Sequence, residues 1–239
     1  TDSIWDEVKR IRGLLEGTGP EAYAAAQARF AITTAQAIGS AGNAATADAI
    51  NATVTGAAST LKIVNTGRTV KINVPPGSAL KVGDEAYDLV EVHFHRASEH
   101  TVDGKPMAMS AHLVHKNASG KVVVLAVLMR ESGQPNRTLW SIWKHMPKSE
   151  GPEQVISGVS INPANLLPRE MNFFSYDGSL TTPPCNEIVD WLLLTTPIEV
   201  AEADVAAFAK IVIEQDGKAA EMLAKMESLV SELEPNDPD

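Results

Sequence analysis

The pattern of hydrophobic and polar positions divides the chain into three parts. Large apolar side chains recur at helical spacing over residues 3–16, and an alanine-rich stretch over 20–60, interrupted by glycines, predicts two more helices joined by a tight turn. From Leu61 onward, short apolar or alternating runs separated by Gly, Pro and Asn predict β-strands. After Pro197 the helical period returns in two apolar stripes. These stripes consist of Val205, Phe208 and Val212, and of Met222, Met226, Leu229 and Leu233.

The predicted strands follow one another with only turns between them, and this succession decides the fold class. They are LKIVN, TVKINV, YDLVEVHFH, MAMSAHLVHKN, VVVLAVLMR and EIVDWLLL. Such a succession favours an antiparallel or mixed sheet over repeated strand-helix-strand units. We therefore predict an α+β protein whose central, mostly antiparallel twisted β-sheet carries the functional site, with helices from both termini packed on it. The predicted boundaries are a helical N-terminal segment over 1–60, a β core over 61–199, and C-terminal helices with an acidic tail over 200–239.

Composition and charge exclude several kinds of partner. Acidic residues outnumber basic ones by 30 to 20, and the net charge of −10 argues against binding to nucleic acid. The longest uncharged stretch, 30–47, is mostly Ala, Thr, Gly and Ser and is too weakly apolar to span a bilayer. No basic and apolar leader opens the sequence, so we expect a soluble chain without a signal peptide or a membrane partner. The Met222 stripe indicates intramolecular packing, with a helix-mediated homo-oligomer as the alternative.

The single cysteine limits the chemistry of any metal site. Cys185 alone cannot form an internal disulfide or a thiolate cluster within one chain, so metal ligands must be nitrogen or oxygen. The strand YDLVEVHFH offers such ligands, because alternate side chains of a strand point to one face and its two imidazoles can converge. The residues that this alternation places on one face are Tyr87, Leu89, Glu91, His93 and His95.

A third imidazole lies on the following strand. Alternation in MSAHLVHKN places Ser110, His112 and Val114 on one face, and antiparallel pairing would bring His112 to the first two histidines. Three imidazoles with an open fourth position are typical of a catalytic zinc site, where zinc supplies hydroxide near neutral pH. Glu91 and Ser110 are then candidates to orient the imidazoles, with ordinary solvated strand residues as the alternative. The remaining histidines do not fit this face and are interpreted as structural or surface residues: His100, His115 and His145.

Another motif, SYDGSLTTPPCNEIVDW, combines a fixed turn with threonine hydroxyls. Two prolines after two threonines fix an extended turn, and a threonine hydroxyl both donates and accepts hydrogen bonds. Alone such a run indicates only a turn before a strand. Beside a metal site it could orient a nucleophile.

Taken together, HFHRASEHTVDG, AHLVHKN and GSLTTPPCNEIVDWLLL resemble the alpha class of carbonic anhydrases, particularly its bacterial members. The similarity extends from about Leu61 to about Phe208. It implies reversible hydration of carbon dioxide to bicarbonate by zinc-bound hydroxide, with side esterase activity and inhibition by sulfonamides or anions. The implied zinc ligands are His93, His95 and His112. The implied roles of other residues are hydroxide orientation by Thr181 through Glu99, a carbon dioxide pocket of Val114, Val127, Leu180 and Trp191, and a bicarbonate contact at Thr182.

Three positions depart from that family pattern. Many members carry a proton-shuttling histidine where this chain has Arg68, and arginine cannot release a proton near neutral pH. Ser110 replaces a glutamate two residues before the third ligand, and Glu91 replaces a glutamine two residues before the first. We therefore expect slowed, buffer-dependent turnover. The alternative is a catalytically weak or silent zinc-binding scaffold derived from carbonic anhydrase.

The two ends of the chain do not carry the family's usual segments. We interpret them as remodelled helical segments of an engineered and recombinantly produced carbonic anhydrase, with natural divergence as the alternative. Cys185 falls where secreted relatives carry half of a disulfide, and relatives are periplasmic or secreted. A cupin-like metal enzyme is a remote alternative, because His93, His95 and Glu99 also fit a His-x-His-x3-Glu pattern, although GSLTTPP has no role there.

Overall fold

An 11-stranded mixed sheet and a short hairpin frame the part of the chain that the computed structural model describes, residues 52–182 and 184–211. The helices there are α1 (Arg137–Lys144), a 3₁₀ helix (Pro163–Leu166) and helical residues 202–211. The strands are β1 (Ala52–Thr55), β2 (Ser59–Asn65), β3 (Val70–Asn73), β4 (Ala79–Val82), β5 (Glu85–His95), β6 (Thr101–Val102), β7 (Lys105–Pro106), β8 (Met109–Lys116), β9 (Val122–Ser132), β10 (Gln154–Ile161), β11 (Phe173–Gly178), β12 (Val189–Leu194) and β13 (Ile198–Ala201).

The order of strands in the sheet puts the predicted site strands at its centre. The path runs β10-β2-β3-β5-β8-β9-β12-β11, while β4 pairs with β5, β1 with β4 and β13 with β9. All of these pairs are antiparallel except β9–β12 and β9–β13, which are parallel. The predicted α+β class with a central, mostly antiparallel sheet is therefore confirmed, and each of the six strands predicted from the sequence is present.

Alternation along the strands gives the sheet two different faces. One, the core face, carries the large apolar cluster, in which Leu61, Phe94 and Leu125 are almost completely buried. The other, the histidine face, carries a smaller cluster around Trp191. Full burial of each large apolar side chain contributes roughly 1.5–3 kcal/mol, so the larger core face holds the sheet in shape. The packed core face keeps the sheet rigid, and this fixes the positions of the side chains on the histidine face.

A β-bulge in β5 decides which of its side chains reach the histidine face. Leu89 pairs with His115 but Glu91 pairs with Val114, so β5 carries one extra residue, Val90, against β8. The extra residue shifts the alternation by one position. Tyr87 and Leu89 consequently lie in the core face with Phe94, and their predicted placement beside the two histidines is wrong.

Two aromatic side chains from other elements pack on Phe94 of β5 in the core face. Phe94, between the two histidines in sequence, has its ring centroid 4.8 Å from that of Trp143 in α1 and 6.4 Å from that of Phe208. Trp143 and Phe208 lie 5.4 Å apart. Helix α1 was not predicted, and it begins at Asn136, whose side chain accepts hydrogen bonds from the second and third backbone amides beyond it.

Other differences from the sequence prediction lie at the boundaries of the β core. Strand β1 and the start of β2 fall inside the stretch 20–60 predicted as helical, because alternating Thr and Val in ATVT outweighs the alanine-rich composition around it. Strand β13 precedes the predicted helix after Pro197, and Val205 and Phe208 of that helix are buried as expected. Strands β4, β10 and β11 were also missed.

The predicted helices over 3–16 and in the first part of 20–60 lie outside the described residues, as do Val212, the Met222 stripe and the acidic tail. Among residues 52–182 and 184–211 no helix is long and apolar enough to cross a membrane.

Candidate metal centre

Three imidazoles meet where β5 pairs with β8. The antiparallel register places His93 directly opposite His112, and His95 lies two residues farther on the same face. The ring centroids are 5.1 Å apart for His93 and His95, 5.2 Å for His93 and His112, and 4.6 Å for His95 and His112. One nitrogen from each ring lies within 4.8 Å of the other two. The predicted convergence of the three histidines is confirmed.

The polar atoms of these rings fit a metal ion. His95 Nε2 and both ring nitrogens of His112 are buried without a hydrogen-bond partner among the described residues, which is costly unless a ligand satisfies them. Burial, followed by the neighbouring imidazoles, holds the pKa of His95 and His112 well below its usual range. Their rings are therefore neutral at pH 7, which is the form that binds metal. Together with His93 they form a set of three imidazoles, a donor set that suits zinc.

Two carboxylates lie beside the Nδ1 atoms of the imidazoles. Glu91 Oε1 lies 3.2 Å from His93 Nδ1, and the almost fully buried Glu99 has its Oε1 3.3 Å from His95 Nδ1 and its Oε2 3.8 Å from His112 Nδ1. Burial alone would raise the pKa of Glu91, but the contacts with His93 and Lys71 outweigh it and lower the pKa. Such carboxylates fix ring orientation at metal sites.

Ser110 does not take over the orienting role of a carboxylate in this arrangement. It pairs with His95 across the strands, and its buried hydroxyl makes no hydrogen bond within the described residues. The predicted orienting role of Glu91 has a contact to support it, whereas that of Ser110 has none.

A second layer of aromatic contacts encloses His112. Its ring lies 5.7 Å from His100 and 4.9 Å from Trp191, and Trp191 stacks at 6.3 Å on Tyr176. His100 Nε2 and the Tyr176 hydroxyl are 2.7 Å apart. Burial lowers the pKa of His100 to about 3, so it is a neutral, structural residue, as predicted.

The other two histidines outside the triad are structural as well. His115 is completely buried in the core face. His145 follows α1, with its Nδ1 2.7 Å from the Ser141 carbonyl oxygen.

The apolar wall beside the imidazoles differs at one position from the expected pocket. Val114, Leu180 and Trp191 belong to the cluster on the histidine face. Val127 does not, because it pairs with Ala111 and is buried in the core face. The residue on the histidine face that pairs with Val114 is Val124, and the sequence analysis missed it. The run VVVLAVLM is apolar throughout, so its composition could not show which positions face the histidines.

The turn that contains the threonines is held beside Trp191. Trp191 Nε1 donates to the Ser179 carbonyl oxygen at 3.1 Å, and the Cys185 amide donates to the Thr182 carbonyl oxygen at 2.9 Å. Thr181 is half-buried and Thr182 exposed. The hydrogen bond from Thr181 to Glu99 that the resemblance implies stays a prediction.

Arg68 lies exposed in the turn between β2 and β3. The turn is closed by the Thr66 amide, which donates to the Thr69 carbonyl oxygen at 3.0 Å. The Thr69 hydroxyl donates to the carbonyl oxygen of Phe94 at 2.6 Å and so ties this turn to the end of β5.

Comparison with known proteins gives matches to carbonic anhydrases. A family model described as eukaryotic-type carbonic anhydrase matches residues 32–232, which extends beyond the motifs between 61 and 208 into both flanking segments. A carbonic anhydrase from Nostoc sp. is 42% identical over 151 residues, 63% of this chain and 57% of the relative. One from Pectobacterium carotovorum is 37% identical over 153 residues, 64% of this chain and 62% of the relative. The chain thus spans less than two thirds of the length of these curated relatives.

Solved structures show the same similarity in three dimensions. The α-carbonic anhydrase of Thermovibrio ammonificans, in complex with the inhibitor sulfanilamide, has a TM-score of 0.63 and 34% identity, covering 66% of this chain and 70% of that one. The Photobacterium profundum α-carbonic anhydrase has a TM-score of 0.64 and 30% identity, covering 67% and 73%. These matches decide against the cupin-like alternative. With its three convergent imidazoles on a matching sheet, the chain belongs to the eukaryotic-type, or alpha, carbonic anhydrase family.

Proposed function

We propose that the protein, with zinc bound, interconverts carbon dioxide with bicarbonate and a proton. The observation that carries this proposal is the cluster of His93, His95 and His112 in a member of the carbonic anhydrase family. Within it, His95 Nε2 and both ring nitrogens of His112 are buried without a hydrogen-bond partner among the described residues. Zinc supplies the Lewis acidity that makes water a strong nucleophile near neutral pH. The imidazoles of His93, His95 and His112 would hold the zinc through ring nitrogens.

The carboxylates and Thr181 orient the reacting groups. Glu91 and Glu99 accept hydrogen bonds from the Nδ1 atoms of His93 and His95, and this leaves the Nε2 lone pairs of these two rings for the metal. The Thr181 hydroxyl accepts a hydrogen bond from the nucleophile and donates its own proton to a hydrogen bond with Glu99. This pairing fixes the attacking lone pair, which is worth more than tight binding for a substrate that offers few hydrogen bonds.

The apolar wall holds carbon dioxide beside the nucleophile. Val114, Val124, Leu180 and Trp191 share the histidine face and exclude water from it. Thr182, in the turn next to Leu180, contacts the bicarbonate product. Sulfonamides, such as the inhibitor bound to the Thermovibrio relative, are expected to compete at the same place. Activated esters are expected as side substrates for the same nucleophile.

Proton release is the step that this chain carries out least well. Arg68 occupies the turn that faces solvent near β5, and a guanidinium does not exchange a proton near neutral pH. Buffer molecules must then remove the proton, so turnover rises with buffer concentration.

A catalytically silent zinc protein is the second candidate. The buried Ser110 hydroxyl, without a partner in the described residues, favours it, because loss of an orienting group can reduce metal affinity or activity about 10- to 100-fold.

The deciding experiment measures zinc content and stopped-flow hydration of carbon dioxide together. The protein should bind about one zinc per chain at its three imidazoles and show sulfonamide-sensitive hydration. His112→Ala should lose both, while the matched control His145→Ala, outside the site, should keep both. Zinc-dependent hydration that survives in His112→Ala contradicts the proposed site. Full zinc content without hydration in the unchanged protein assigns it to the silent class.

A further inference from the structure

Lys71, Glu91 and His93 form a continuous line of contacts on the histidine face. Lys71 in β3 is the register partner of His93 in β5, so both side chains leave the same side of the sheet. Lys71 Nζ lies 3.1 Å from Glu91 Oε2, and the other oxygen, Oε1, lies 3.2 Å from His93 Nδ1. One carboxylate therefore binds an ammonium group through one oxygen and an imidazole through the other.

This geometry determines which ring nitrogen of His93 carries the proton. A neutral imidazole has one N–H, and a carboxylate can only accept a hydrogen bond. The contact with Glu91 therefore stabilises the proton on Nδ1 and leaves the lone pair on Nε2. Only a nitrogen with a free lone pair can ligate a metal.

Lys71 restricts the freedom of the carboxylate. The Glu91 side chain is 27% exposed, so water competes for both of its oxygens. With Oε2 held by Lys71, rotation of the carboxylate away from His93 would break an ion pair as well as a hydrogen bond. Asn73, the register partner of Glu91, donates its amide to Glu153 instead, so it does not compete for the carboxylate.

The three imidazoles are thus supported in two different ways. Glu99, almost fully buried, has its Oε1 3.3 Å from His95 Nδ1 and is held in place by packing. Glu91 is partly exposed and lacks that packing, so its carboxylate is held by the ion pair with Lys71 instead. Such a partly exposed ion pair contributes little to folding stability, so its effect is on orientation.

We propose that Lys71 and Glu91 are positioning residues that hold His93 in the Nδ1–H tautomer in the metal-free protein and so fix Nε2 as its ligating nitrogen. The proposal rests on the metal site of the proposed function but not on catalysis. It assigns Lys71, which forms an ion pair with Glu91, a role in metal binding.

The test reads the tautomer directly by NMR of the metal-free protein labelled with ¹⁵N-histidine. Spectra are recorded at about pH 8, above the usual histidine pKa of about 6.5, and the His93 signals are assigned by their loss in His93→Gln. The unchanged protein should show a protonated Nδ1 and an unprotonated Nε2. Glu91→Leu should move His93 to a mixture of tautomers, and Lys71→Met should do so in part. Lys71→Arg should restore the original state.

Zinc affinity, measured by competition with a chelator, gives a second readout. Glu91→Leu should weaken zinc binding by about 10- to 100-fold, and Lys71→Met by less. Glu91→Gln keeps an accepting oxygen but no charge, so Lys71→Met should have no further effect in that background. The control Lys81→Met removes an exposed lysine from β4 and should change neither readout.

The proposal is overturned if Glu91→Leu leaves both the His93 tautomer and the zinc affinity unchanged. It is also overturned if Lys71→Met has the same effect in the Glu91→Gln background as in the unchanged protein, because the two residues would then act independently. Neither outcome touches the proposed function, since hydration of carbon dioxide is measured separately on the zinc-loaded protein.

Discussion

His115 offers a sharp test of the energetics of this fold, because it is a buried histidine outside the metal centre. It is 0% exposed and lies in the core face between Leu89 and Val123, its register partners in β5 and β9. Burial lowers its pKa from 6.5 to about 4, although the backbone carbonyls of Leu113 and Val123 offset part of the effect. Neither ring nitrogen has a hydrogen-bond partner of good geometry within the described residues.

The sign and size of its contribution follow from linkage. The unfolded chain takes up a proton on His115 near pH 6.5, but the folded chain does so only near pH 4, so protonation favours unfolding between these values. The stability that the neutral ring contributes is complete above pH 6.5 and is lost as the pH falls towards 4. The fall in pKa from 6.5 to about 4, at about 1.36 kcal/mol per pH unit, corresponds to roughly 3 kcal/mol.

The assay is urea unfolding of the unchanged protein, His115→Leu and His115→Gln at several pH values, with a chelator in every sample so that metal release does not contribute. The two replacements should differ in absolute stability, because one is apolar and the other polar. Both should lose the same pH-dependent part, about 1.4 kcal/mol per pH unit relative to the unchanged protein. A difference between protein and variants that stays constant from pH 6.5 to 4 would refute the reasoning.

Three further predictions concern the site. Gly178→Ala should destabilise the protein by about 1–3 kcal/mol and lower activity, because the new Cβ would lie 2.8 Å from Trp191 Cδ1; thermal unfolding and hydration rates measure this. Val114→Phe should reduce hydration at unchanged zinc content, whereas Val127→Phe should cost stability in urea unfolding, and the reverse pattern would contradict the assigned faces. Arg68→His should raise turnover in dilute buffer, and an unchanged dependence on buffer concentration would argue against proton release as the slow step.

The sequence was most informative where polar and apolar side chains alternate clearly and where residues that can bind a metal are few. Few histidines, two of them two residues apart on an alternating strand, were enough to predict the convergence at His93, His95 and His112. The class of sheet followed from turns that are too short for crossover helices.

The sequence was least informative where the register between paired strands decides which face of the sheet a side chain takes. Tyr87 and Leu89 were misplaced because a bulge changes the parity of a strand without an obvious residue to mark it. Val127 was assigned to the pocket because an apolar run buried on both faces has no polar positions to set its phase. Lys71 was missed because its role depends on a neighbouring strand rather than on its own segment.

The bulge at Val90 makes β5 respond to a deletion differently from a regular strand. In a regular strand, loss of one residue moves every side chain beyond it to the other face. Loss of Val90 would instead remove the extra residue and leave Leu89 opposite His115 and Glu91 opposite Val114, so the imidazoles and the core side chains would keep their faces. Loss of Val92 would also keep the imidazoles in place, but it would move the Glu91 carboxylate to the apolar core face. We expect a library of single-residue deletions to tolerate the loss of Val90 and to be depleted of the loss of Val92.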